Sequence, residues 1–85
     1  MSNFFIKHYG ERRQFKKLIE ECCELVIAIF FYLIGFDTLE HVQEEMGDVS
    51  NLIGQFEEHW NDGKIYCWKE FKQRRQMKRI KQEKK

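Results

Sequence analysis

Leu25 to Ile34 reads LVIAIFFYLI, ten apolar residues in unbroken succession. A bilayer span takes about 20 such residues, so the run marks a buried helix and not a membrane protein. It continues a longer helical pattern. Phe15, Leu18, Ile19, Cys22, Leu25, Val26, Ile29, Phe30 and Leu33 recur at spacings of three and four, and this predicts a helix from Glu11 to Leu33 with Gly35 as its C-terminal cap. From Leu25 onward that helix is apolar on nearly every side and must be surrounded. An 85-residue chain forms one small domain and has too few other helices to surround it. The expectation is an oligomer.

The chain has no proline and five glycines, which favours long helices over a turn-rich β fold. Its 15% aromatic and 34% charged residues argue against disorder. A second helix starts with Asp37 as cap and Glu40 three residues on, a capping-box arrangement. Leu39, Val42, Met46, Val49, Leu52, Ile53 and Phe56 form its stripe as far as Trp60. Asn61-Asp62-Gly63 reads as a turn. A third helix, Lys64 to Lys81, carries Ile65, Trp68, Phe71, Met77 and Ile80 among Lys and Arg. Residues 1–10 form an N-terminal segment, and 82–85 a basic tail that frays. The fold class is all-α, with three helices in one domain over 1–85. The first two make an antiparallel hairpin that completes a four-helix bundle by dimerisation.

The net charge of +1 hides an asymmetry. Residues 69–85 hold nine Lys/Arg against two Glu, and residues 1–68 hold six against twelve Asp/Glu. A basic helix on an acidic body either binds nucleic acid or is a solvated face. Cys22, Cys23 and Cys67 fit no disulfide framework and no zinc-ligand spacing. This cysteine usage, with no secretory signal pattern at the N-terminus, suggests a reducing cytoplasm.

The acidic residues are placed informatively. Glu20, Glu21 and Glu24 read E-E-x-x-E on the first helix, and Glu44, Glu45 and Asp48 read E-E-x-x-D on the second. Glu21 and Glu24 lie within about 60° of each other beside the stripe, and Glu45 and Asp48 repeat that relation. Packing the stripes together collects both pairs in one acidic pocket. Carboxylates so crowded must take up protons or a cation. A hard dication, Mg²⁺ or Mn²⁺, suits an all-oxygen set and keeps positions for phosphate oxygens. A di-iron carboxylate bundle would need Glu-x-x-His on two helices, whereas His41 precedes Glu44 and the first helix has no histidine.

Tyr9-Gly10, Gln14, Leu18-Ile19-Glu20-Glu21-Cys22-Cys23-Glu24-Leu25 and Glu44-Glu45-Met46-Gly47-Asp48-Val49 together resemble the MazG-like all-α nucleoside triphosphate pyrophosphohydrolases. The resemblance covers about residues 9–60. It implies Mg²⁺-dependent cleavage of a nucleoside triphosphate between the α- and β-phosphates, giving monophosphate and pyrophosphate for nucleotide-pool sanitation. Carried over, the metal ligands are Glu21, Glu24, Glu45 and Asp48, and Glu20 and Glu21 are catalytic, with Glu20 orienting or deprotonating the water. Cys22-Cys23 departs from the family's more usual small or aliphatic pair. The short Phe36–Leu39 connection favours the dimer- or tetramer-forming members. Phosphoribosyl-ATP pyrophosphohydrolase is a near neighbour sharing this chemistry.

Phosphate groups also require cationic partners. Lys17 lies about 40° from Glu21, and Lys72 and Arg75, with Lys69 and Arg79, are candidates from the third helix across a subunit interface. Asn51 suits a sugar or phosphate oxygen, or is a solvated amide. Trp60, Trp68, Phe4, Phe5, Tyr9 and His8 offer stacking surfaces or form core. His41 and His59 read as surface histidines, and Cys22 and Cys23 as small packed residues. The alternative function is a dimeric nucleic-acid-binding protein using the basic third helix.

Overall fold

A computed structural model describes residues 2–83, which form four helices and no strand. They are α1 (Ser2–Tyr9), α2 (Glu11–Leu33), α3 (Leu39–Trp60) and α4 (Lys64–Glu83). The all-α expectation holds, but three helices were one too few. The N-terminal segment is itself helical, and Gly10 breaks it from α2 with φ +90°, a conformation only glycine adopts cheaply. An eight-residue helix shows too little periodicity to read from sequence, and among its described side chains α1 buries only Ile6. Gln82 and Glu83 are the last residues of α4, and residues 84–85 of the expected tail lie outside the described residues.

The α2–α3 hairpin is antiparallel. At its open end Gln14 Nε2 donates to Gln55 Oε1 at 2.8 Å, and Phe15 stacks on Phe56 with ring centroids 4.4 Å apart. Phe56 also meets Trp60, whose indole N–H donates to Glu11. At the closed end Gly35 stands at φ +89°. Its N–H donates to Tyr32 O, and the Phe36 N–H donates to Phe31 O, satisfying two carbonyls at the end of α2. The cap of α3 is Thr38 instead of Asp37: the Thr38 Oγ1 accepts from the His41 main-chain N–H at 3.2 Å. Asp37 Oδ1 accepts from the Thr38 N–H, one residue outside the cap.

Buried residues in α2 fall at Gln14, Glu21 and Ala28, every seventh position, with Leu18 and Leu25 half-buried between them. Those in α3 are Val42, Glu45, Leu52 and Phe56, with Val49 half-buried. Alternating steps of three and four on both helices make a narrow coiled-coil-like seam. Burial is narrower than the apolar pattern implied. Ile19, Val26, Phe30 and Leu33 on α2, and Leu39 and Met46 on α3, remain exposed. Cys22 and Cys23 are likewise exposed and do not pack as small core residues.

The short α1 packs on α3 and more lightly on α2. None of the packed helix pairs includes α4, which buries none of its residues. No described helix is long and apolar enough to cross a membrane.

Candidate metal centre

The seam positions of α2 and α3 would ordinarily carry Leu or Val, yet two are glutamates. Glu21 is only 6% exposed and Glu45 9%. They sit within the packed stripe, whereas the helical angles alone place them along its border. With Glu24 they form a group in which one carboxylate oxygen from each residue lies within 4.8 Å of the others. Buried carboxylates are retained only with compensation.

That compensation is half present. Lys17 Nζ lies 3.0 Å from Glu21 Oε1, and His41 Nε2 lies 3.3 Å from Glu45 Oε1. The same device thus occurs on both helices: a basic side chain one turn upstream engages one oxygen of the buried glutamate. The other oxygens, Glu21 Oε2 and Glu45 Oε2, are buried with no hydrogen-bonding partner. Uncompensated buried carboxylate oxygens are costly, and they fit a dication.

The electrostatics reflect this crowding. The negative charge of Glu21 holds the Glu24 carboxyl above its ordinary range, with desolvation and Glu45 adding to the effect. Lys17 is held above its usual range, first by its hydrogen bond to Glu21 and then by that residue's charge. Asp37 is lowered by its hydrogen bond to His41, and His41 is raised chiefly by Asp37.

A cleft of about 740 Å³ opens beside the acidic group, with Glu21 common to both. Lys17, Glu20, Asp48 and Asn51 line it, facing Tyr9 at the end of α1. Seven of the metal, catalytic and phosphate- or sugar-binding candidates therefore converge: Glu21, Glu24 and Glu45 in the cluster, and Lys17, Glu20, Asp48 and Asn51 in the adjoining cleft. Asp48 stands in the cleft wall and not among the three clustered carboxylates. Lys72 and Arg75 lie on α4 and line neither feature, and the Arg75 guanidinium sits over the Phe71 ring.

Sequence reasoning passed over Arg13, Lys16 and Gln55, which also line the cleft, and took His41 for a surface residue. The signal for His41 was its place four residues before Glu45, repeating that of Lys17 before Glu21. His59 pairs instead with Glu11 at 3.4 Å. Trp60 belongs to the aromatic cluster with Phe15 and Phe56, Trp68 is exposed on α4, and His8 stacks on Phe4. Of the aromatic candidates, Tyr9 is the one lining the cleft. Neither a protein-family model, nor a curated protein, nor a solved structure matches this chain.

Proposed function

We propose that the protein is a Mg²⁺-dependent nucleoside triphosphate pyrophosphohydrolase, with Mn²⁺ as a possible substitute, cleaving between the α- and β-phosphates and serving nucleotide-pool sanitation. One observation carries the reading: Glu21 Oε2 and Glu45 Oε2 are buried without partners beside Glu24, next to a cleft with basic groups. The resemblance of the two acidic motifs to the MazG-like enzymes supports the same reaction.

In this reading Glu21, Glu24 and Glu45 hold the ion, and Asp48 completes the set from the cleft wall. A bound dication supplies charge neutralisation and polarisation of the phosphoryl group. Lys17, 52% exposed at its side chain, can turn from Glu21 to a phosphate oxygen. Arg13 and Lys16 add positive charge along the cleft, where the polyphosphate would lie. Glu20, on the cleft side of α2, is the carboxylate available to take a proton from the attacking water. Tyr9 offers a ring to the base and Asn51 an amide to the sugar.

The working form is a homodimer or homotetramer. Exposed Val26, Phe30, Leu33, Leu39 and Met46 support an apolar interface between hairpins. The three free cysteines support a cytoplasmic location.

Pyrophosphate release from a panel of nucleoside triphosphates, with Mg²⁺ and then chelator, tests the proposal. Metal-dependent pyrophosphate that disappears in Glu21→Gln and Asp48→Asn is expected. Release of single phosphate would refute α–β cleavage. A second reading, nucleic-acid binding, is favoured by α4, which carries eight Lys/Arg against two Glu and buries nothing. It predicts binding that weakens steeply with salt and is indifferent to Glu21.

A further inference from the structure

Glu45 is fixed by a chain of contacts that begins at the start of its own helix. The Thr38 N–H donates to Asp37 Oδ1 at 2.7 Å, which pins the aspartate to the backbone. Asp37 Oδ2 bonds His41 Nδ1, and His41 Nε2 faces Glu45 Oε1 at 3.3 Å. With a carboxylate oxygen at each nitrogen, the imidazole plane is held from both sides. Only one oxygen of Glu45 is engaged by this chain, and the other is the buried one without a partner.

Lys17 makes a similar contact to Glu21, but it lines the cleft on a flexible stem. His41 does not line the cleft. Its contacts run to Asp37 and Glu45.

We propose that His41, held by Asp37, is a positioning residue that commits Glu45 Oε1 and leaves Oε2 as the oxygen free to ligate the metal. The inference rests on the metal-centre reading above. A ligand carboxylate held in this way loses less freedom when the ion binds, and outer-sphere partners of this kind are worth about 10–100-fold in metal affinity. A contrary effect acts in the same place, because a positive imidazole repels a dication. The proposal is that orientation outweighs repulsion.

The test is Mn²⁺ binding to the full, metal-free chain without nucleotide, followed by the electron paramagnetic resonance of free Mn²⁺. The wild type should bind and Glu45→Gln should lose most of that affinity. His41→Ala should bind roughly 10–100-fold more weakly. His41→Gln, whose amide N–H can reach Glu45 from the same position, should recover most of the loss, and Asp37→Asn should fall between wild type and His41→Ala. Thr38 caps α3 through the main chain of His41, so these side-chain changes spare the cap, and helical circular dichroism checks that they do. If His41→Ala binds Mn²⁺ as tightly as the wild type or more so, while Glu45→Gln does not bind, the positioning role is wrong and the metal centre stands. The positioning role also fails if His41→Gln is no better than His41→Ala. If the wild type binds no Mn²⁺, the metal-centre reading falls and takes this inference with it.

Discussion

Helices α3 and α4 are nearly equal in length, 22 and 20 residues, and both carry apolar residues at helical spacing. Yet α3 buries Val42, Glu45, Leu52 and Phe56, and α4 buries nothing. Spacing establishes that a segment is helical and which face is apolar. It does not establish that the face is covered within its own chain. What separates the two helices is a matching partner: α3 has α2, joined by a short connection and bearing the same seam, whereas the thinner stripe of α4 stands among lysines and arginines with no matching face in the chain.

Chemistry gives the largest expected contrast between the α2–α3 hairpin and α4. Glu21→Gln, in the hairpin, should lower turnover at least about a thousandfold, since metal-bound groups supply several kcal/mol of transition-state stabilisation. The same change should raise the melting temperature of the metal-free protein, because it removes a charge crowding Glu24. Lys72→Ala and Arg75→Ala on α4 should leave kcat nearly unchanged and raise KM several-fold, as expected if a partner copy brings α4 to the cleft. Steady-state assays across the four proteins check this.

Stability should divide along the same line. Phe56→Ala removes a ring that is 2% exposed and stacked on Phe15, and should cost about 3–5 kcal/mol in urea unfolding. Trp68→Ala, at an exposed position on α4, should fall within about 0.5 kcal/mol of wild type. Equal losses at the two positions would mean that α4 is packed in solution. Gly35→Ala, forcing a side chain into φ +89°, should cost about 1–2 kcal/mol and loosen the closed end of the hairpin.

The smallest effect expected is a pH dependence. Asp37 is lowered, so its contribution is present above its unfolded value near 3.9 and fades as pH falls through the folded one. His41 is raised, so its contribution is full below about 6.5 and is lost as pH rises through its folded value. The difference in melting temperature between wild type and Asp37→Asn should therefore be greatest between roughly pH 4 and 6.5. A difference that is flat across that range would break the pairing.

Much of this arrangement is legible in the sequence. The limits of α2 and α3 follow from their stripes, from Gly35 and from the Asn61-Asp62-Gly63 turn, because each is a local preference that the fold leaves intact. The convergence of Glu21, Glu24 and Glu45 follows from helical angles plus antiparallel pairing. The angles do not reveal that Glu21 and Glu45 replace core residues outright. That depends on the seam being narrow, which is a property of the pair and not of either helix. Residues 1–10 hid α1 because a helix of eight residues gains its stability from tertiary contact and not from pattern. Thr38 took the cap from Asp37 because His41 and the Thr38 N–H both claim the aspartate.

The short link from Ile34 to Thr38 has a consequence for how the protein comes into being. All three clustered carboxylates lie between residues 21 and 45, so closing one loop brings them together. Contacts so near in sequence form quickly, and helical domains dominated by them fold in microseconds to milliseconds. The acidic cluster is therefore complete as soon as the two helices meet, before α4 has any part to play. An ion captured at that stage would act as a clasp on the folding chain, drawing the hairpin shut against the mutual repulsion of its own ligands.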